Sequence, residues 1–202
     1  MDDQFSRYPE WVLQGLDREW MTELPAPAEA LAFTANRQYV HHLVNRLGDG
    51  TGKTLELLAD YIVSCMPGCR TMRRRSSGST EYDLVCSVEG FDVDFRSEPG
   101  RYFVCECKDW AEPADFTTLA KFCRVLDSTK SCFGILFSKN GITGTGRTSD
   151  AAREQLKVFQ DRGMIIVVVD ESDLCLVADG ANFISLLRTK YAAVRLDLVD
   201  YK

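Results

Sequence analysis

Apolar positions along this chain follow two rhythms, and the change comes near residue 50. Before it, Trp11, Leu13, Leu16, Trp20 and Leu24 recur at near-helical spacing until Pro25-Ala-Pro27 breaks the run. A second helical pattern spans Ala30 to Leu47, with Val40, Leu43, Val44 and Leu47 at i, i+3, i+4 and i+7, and Gly48-Asp-Gly-Thr-Gly52 ends it. We read residues 1–47 as a helical N-terminal extension. From Lys53 the pattern tightens. A helix over Lys53–Met66 places Leu55, Leu58, Ala59 and Ile62 on one face, and Pro67-Gly68 stops it. A short strand and then a basic loop, Arg73 to Thr80, are expected next. Three strand candidates follow, Asp83–Val88, Phe91–Arg96 and Arg101–Cys107, separated by Glu89-Gly90 and Ser97-Glu-Pro-Gly100. Helices are expected over Phe116–Lys130 and Thr148–Arg162, buried strands over Cys132–Phe137 and Met164–Val169, and short helices around Ser172–Leu176 and Ala181–Leu187. Strands in a run, then strands alternating with helices, predict an α/β core over residues 48–190, a mixed β-sheet flanked by helices, with a tail over 191–202.

Length supports that division, since 202 residues build one substantial core and leave room for an appendage. The longest apolar run, Met164–Val169, is too short to cross a bilayer, and the acidic N-terminus lacks the basic and apolar regions of a secretory signal. No membrane association is expected. Most of the eight cysteines sit inside apolar runs, as reduced thiols do, so a cytoplasmic location is expected. Zinc is poorly served: the spacings Cys65-x3-Cys69 and Cys105-x-Cys107 form no pair of knuckles, and His41 and His42, adjacent on a helix, diverge by about 100°.

The net charge of -6 is unevenly spread. Residues 1–30 carry seven acids against Arg7 and Arg18, which leaves the remainder close to neutral. Within that remainder the run Arg70-Thr-Met-Arg-Arg-Arg75 is a local basic patch, either a solvated loop or a phosphate contact through Arg73, Arg74 and Arg75. Lys139 and Arg147, on either side of a glycine-rich stretch, are further candidates for nucleic-acid contact.

Two glycine-rich stretches invite nucleotide-binding readings. Gly48-Asp-Gly-Thr-Gly-Lys-Thr54 has the ending of a P-loop, but Leu47 stands where its first glycine is required, and the stretch follows a helical pattern rather than a strand. Gly141-Ile-Thr-Gly-Thr-Gly146 follows a strand without the dinucleotide spacing, so a nucleotide-sensing role there stands beside the plain alternative of a mobile loop.

The sharpest signal lies in Arg101-Tyr-Phe-Val-Cys-Glu-Cys-Lys-Asp-Trp110. Glu106 and Lys108 are two residues apart and share one side of an extended strand with Val104. Alone, such a triplet is an ordinary ion pair, but charge at the end of an apolar run is costly to bury without a purpose. Asp83 opens another apolar run and can supply a second carboxylate. Asp92 and Asp94 compete for that role, yet they alternate with Phe91, Val93 and Phe95 as the wet face of a strand would. Two carboxylates, with the backbone carbonyl of Cys107 as a further oxygen, can hold Mg²⁺ against a phosphodiester, and Lys108 can orient water or offset charge in the transition state.

In this order, Gly52-Lys-Thr-Leu-Glu-Leu-Leu58, Gly78-Ser-Thr-Glu-Tyr-Asp-Leu-Val85 and Val104-Cys-Glu-Cys-Lys-Asp-Trp110 resemble the PD-(D/E)XK nuclease superfamily, and more narrowly Mrr-type restriction endonuclease domains. Gly134-Ile-Leu-Phe-Ser-Lys-Asn-Gly-Ile-Thr143, Asp150-Ala-Ala152 and Ile165-Ile-Val-Val-Val-Asp170 resemble the closing part of that domain, so the resemblance covers roughly residues 50–188. Tyr82 stands where the family motif has proline. The resemblance implies a restriction-endonuclease-like core and Mg²⁺-dependent hydrolysis of DNA, with Mn²⁺ as a substitute, leaving a 5′-phosphate. It implies that Asp83 and Glu106 bind metal, that Lys108 assists the water, and that Glu56 on the early helix supports the metal shell. A restriction or anti-phage setting is expected, with a regulatory or sensor protein, or a second copy, docking through the N-terminal helices. The competing reading is a catalytically inactive nuclease-fold subunit that binds nucleic acid or a protein.

Overall fold

The computed structural model describes residues 33–77, 80–89, 100–143 and 151–197. The chain divides into two units, residues 1–32 and 33–202, and all of the described residues belong to the second. The strand expected over Phe91–Arg96, with Asp92 and Asp94, lies outside the described residues, as do Trp11, Trp20 and Arg147.

Eleven elements follow in chain order among the described residues: α1 (Arg37–Val44), α2 (Lys53–Ser64), β1 (Cys69–Ser77), β2 (Thr80–Val88), β3 (Tyr102–Lys108), α3 (Phe116–Thr129), β4 (Phe133–Ser138), α4 (Ala151–Asp161), β5 (Ile165–Val169), α5 (Glu171–Ala178) and α6 (Phe183–Arg195). The five strands form one mixed sheet in the order β1-β2-β3-β4-β5. The first three pair antiparallel and the last three parallel, with α3 and α4 as the crossovers of the parallel part. The chain is thus an α/β protein with helices flanking a mixed sheet.

The alternation of side chains explains which helices cover which face. Val104, Leu136 and Ile166 pack with Leu119, Phe122, Cys123 and Leu126 of α3 and with Leu156 and Phe159 of α4. A Cβ on Gly134 would lie 2.8 Å from the Phe122 ring and 3.0 Å from the Leu126 methyls, so α3 rests directly on the β4 backbone. The opposite face carries Leu84, Cys86, Phe103, Cys105, Phe133, Ile135 and Phe137, all buried. There Phe133 meets Tyr191, and Phe137 stacks on Phe183, which fixes α6. Asp60 of α2 holds the Thr71 hydroxyl and the Arg73 guanidinium on β1, residues that share this second face through the register Thr71↔Cys86 and Arg73↔Leu84. Each large apolar side chain so buried contributes about 1.5–3 kcal/mol.

Three boundaries differ from the sequence expectation. Arg73–Arg75 belongs to β1 rather than to a loop, because pairing with β2 runs through Arg73↔Leu84 and Arg75↔Tyr82. Helix α1 packs on α5 and α2 and buries Val40, Leu43 and Val44, so residues 33–47 fold with the sheet and not with the preceding segment. Helix α6 continues to Arg195, past the expected start of a tail. Among the described residues, no helix is long and apolar enough to cross a membrane.

Candidate active site

The pairing between β2 and β3 ends at Leu84↔Cys105, while that between β1 and β2 continues as far as Ser77↔Thr80. The two strands therefore part at the next position, where Asp83 stands across from Glu106. Parting frees the Cys107 N–H, and the Asp83 carboxylate takes it at 2.8 Å in place of a ladder carbonyl. Asp83 and Glu106 lie on the face that carries Val85 and Val104. Lys108 is two residues further along the same face, level with Ser138 of β4. Its Nζ donates to Glu106 Oε1 at 2.5 Å, and the two side chains are only 20% and 19% exposed.

This pair does not neutralise its surroundings. Burial pushes the Glu106 pKa up, and the charge of Asp83 adds to the rise; Lys108 opposes it, and Glu56 contributes in the raising direction. The Cys107 thiol is pushed well up by burial and by the charges of Asp83, Glu106 and Glu56, so it stays protonated and offers no thiolate. Three carboxylates thus act on one place that holds one lysine.

Glu56 reaches the site from α2 through a built turn. Gly48, Gly50 and Gly52 all have positive φ (83°, 77° and 70°), and Gly48, without a Cβ, leaves room for the Lys139 ammonium. Asp109, one residue past β3, accepts the Gly48 N–H on both carboxylate oxygens at 2.8 and 2.9 Å. Lys139, one residue past β4, donates to the Leu47 carbonyl at 3.4 Å. These contacts tie the glycine turn that leads into α2 to the C-terminal ends of β3 and β4. The turn is also closed on itself: Asp49 accepts from the Thr54 hydroxyl, the Thr51 N–H and the Thr51 hydroxyl, which hold its pKa at about 2. Those donors, the Thr51 N–H among them, are thus already taken by a carboxylate of the same turn.

The remaining sequence candidates divide. Arg73 is committed to Asp60, with Nε and Nη2 at 2.7 and 2.5 Å from the same carboxylate oxygen, and Arg70 pairs with Glu89 at 3.0 Å. The side chains of Arg74 and Arg75 lie outside the described residues. Lys139 is half-buried behind the glycine turn rather than open to a phosphate. His41 and His42 are both exposed, His41 beside Asp179 at 3.3 Å, and all eight cysteines are free thiols. Among the described residues, no group of three or more His, Cys, Asp or Glu side chains is arranged to hold a metal ion.

Two residues that the sequence reading gave no role border the site. Asp109 anchors the turn, and Trp110, half-exposed, lies with its ring centroid 5.2 Å from Lys108 Nζ. Their signal was position: both directly follow a strand that ends in charge, on a loop. No protein-family model and no curated protein matches this chain in sequence.

Proposed function

We propose that this chain is a metal-dependent nuclease that hydrolyses phosphodiester bonds of DNA on a restriction-endonuclease-like core. One observation carries the reading: Asp83 and Glu106 face each other where β2 and β3 part, with Lys108 on the same face and in contact with Glu106. The donor chemistry fits a hard divalent cation, Mg²⁺ or Mn²⁺, which takes one or two carboxylates and keeps several waters. Asp83, Glu106 and the Cys107 carbonyl would hold it, and the surplus negative charge raising the Glu106 pKa is what a cation would relieve. Once bound, the ion supplies positive charge to the phosphate and lowers the pKa of water.

The protein's own groups then have separate tasks. Asp83 does two things at once, since one oxygen keeps the Cys107 N–H and so fixes the carboxylate's orientation. Lys108, held by Glu106, presents an ammonium where it can orient the attacking water and offset charge developing on the phosphorus oxygens. Glu56 adds negative field from α2 and so favours cation binding. The water oxygen bonds to phosphorus as it gives up a proton, the P–O3′ bond breaks, and the leaving oxygen takes a proton from solvent to become a 3′-hydroxyl opposite a 5′-phosphate. We place this activity in the cytoplasm, a reading supported by the eight free thiols. We assign restraint of the nuclease, in a restriction or anti-phage setting, to a partner or second copy bound through residues 1–32.

The test is cleavage of single- and double-stranded DNA and RNA with Mg²⁺, with Mn²⁺ and with EDTA. Wild type should cut DNA only with a divalent ion, and Asp83→Ala, Glu106→Ala and Lys108→Ala should not. Equal cutting by all three variants sinks the assignment. Deletion of residues 1–32, which spares α1, should abolish co-purification of any partner and self-association.

A further inference from the structure

The proposed nuclease site carries an aromatic surface at its rim whose chemistry speaks to substrate class. Trp110 is 49% exposed, two residues past a strand whose Phe103, Val104 and Cys105 are buried. Its ring lies half in water close to the partly buried Glu106–Lys108 pair, where an aromatic face can meet a ligand. The backbone that carries the ring is held in place: Asn140 Nδ2 donates to the Trp110 carbonyl at 2.7 Å and to the Ala111 carbonyl at 3.0 Å, tying the loop after β3 to the turn after β4. Its centroid is 5.2 Å from Lys108 Nζ, and that ammonium in turn contacts Glu106. A flat ring therefore sits within one side chain of the groups assigned to the phosphodiester.

The basic run that could have gripped a duplex by its phosphates is partly spent. Arg70 and Arg73 are each paired with a carboxylate, and the residues after the acidic first thirty are close to neutral rather than basic. Affinity built on phosphate contacts alone needs free cations. Stacking on an aromatic face does not, and it is tolerant of sequence because every base has a π-face. In a paired duplex those faces are covered by neighbouring bases, so a ring at this position can stack only on a base that is unpaired or turned out of the helix.

We propose that Trp110 is a base-stacking residue that positions the strand for cleavage, and that the site takes single-stranded or locally unpaired polynucleotide in preference to a fully paired duplex. The proposal rests on the nuclease reading for the word cleavage, but not for binding. Loss of one stacked base weakens binding by roughly ten- to a hundredfold.

Two measurements on the full-length chain test it. Anisotropy titrations with a labelled single-stranded oligonucleotide and its blunt duplex, in EDTA so that nothing is cut, compare wild type with Trp110→Ala and Trp110→Phe. Tighter binding to the single strand by wild type, about tenfold or more lost in Trp110→Ala and largely kept in Trp110→Phe, is the expected result. Equal affinity of wild type for both forms, or Trp110→Ala binding as tightly as wild type, overturns it. Steady-state cleavage of the single strand should then show Trp110→Ala raising KM with little change in kcat. A loss of kcat with an altered pH profile and unchanged KM would mean that the ring only shields Lys108, and would also overturn it. Tryptophan-dependent binding without any hydrolysis refutes the nuclease reading and leaves the stacking platform standing. Hydrolysis indifferent to Trp110 does the reverse.

Discussion

Among the described residues, two half-buried acid–lysine pairs are built differently. Asp173 and Lys190 join α5 to α6 at 2.7 Å, with side chains 9% and 31% exposed. Glu106 and Lys108 sit on β3 at 2.5 Å. Burial raises the pKa of both acids. At Asp173, what opposes burial dominates the rest: the Lys190 ammonium and the Asp170 N–H, which the carboxylate accepts at 2.9 Å as part of a reciprocal cap on α5. At Glu106, the largest influence after burial is a second carboxylate, Asp83. The first pair completes a helix terminus and is electrostatically closed. The second is crowded by like charge, the surplus that the proposed cation would offset. An ion pair on a core element is thus no mark of a site; unbalanced carboxylates around one are.

Four outcomes would break or sharpen that contrast. The largest separates function. Glu106→Gln should lower cleavage by at least about a thousandfold, as loss of a group acting in the transition state does. Asp173→Asn should stay within about fivefold of wild type below its melting temperature. Parallel losses in assays on folded protein would erase the distinction. The next separates stability: Asp173→Ala removes a cap and a partly buried partner and should cost about 2 kcal/mol in urea melts, whereas Glu106→Ala should cost under about 1 kcal/mol. A larger loss at Glu106 would reassign it to the structural class.

A smaller effect concerns the cation. Mg²⁺ at ten times its Kd should stabilise wild type and Asp173→Asn by about 1.4 kcal/mol in thermal melts and leave Asp83→Ala unmoved. The smallest is a pH slope. The folded Glu106 carboxyl titrates above its ordinary value of 4.5, so its contribution favours the fold below that value and is lost as pH rises through the raised one. Stability of wild type relative to Glu106→Gln, followed by urea melts from pH 4 to pH 8, should therefore decline with rising pH, and saturating Mg²⁺ should remove the decline.

How much of this was legible in the sequence depended on what kind of force held each part. β4 and β5 are continuous apolar runs, and α2 and α3 carry apolar stripes, so their existence was visible within a residue or two at each end. A short strand was legible before Arg73, but the full length of β1 was hidden because its covered face is held by Asp60 through the Thr71 hydroxyl and the Arg73 guanidinium, and polar contacts leave no hydrophobic alternation to read. The affiliation of α1 was hidden because its partner α5 lies far along the chain; a stripe of Val40, Leu43 and Val44 says that a face is buried, not against what. At the site, the parity of Glu106 and Lys108 was readable from spacing alone. That Asp83 stands opposite Glu106 required the register Leu84↔Cys105, which no local pattern encodes. Asp109 and Asn140 act by pinning neighbouring loops, and an isolated Asp or Asn in a turn carries no sign of which backbone group it will find.

The parting of β2 from β3 divides β2 into two stretches that tolerate change differently. Up to Leu84 the strand is locked between two neighbours, and a slip of one residue there would turn Asp83 away from Glu106. Beyond Asp83 the same strand answers only to β1, along Arg75↔Tyr82, Ser76↔Glu81 and Ser77↔Thr80. An insertion or a change of charge in that outer ribbon would therefore alter the surroundings of the proposed site while leaving the carboxylates where they are.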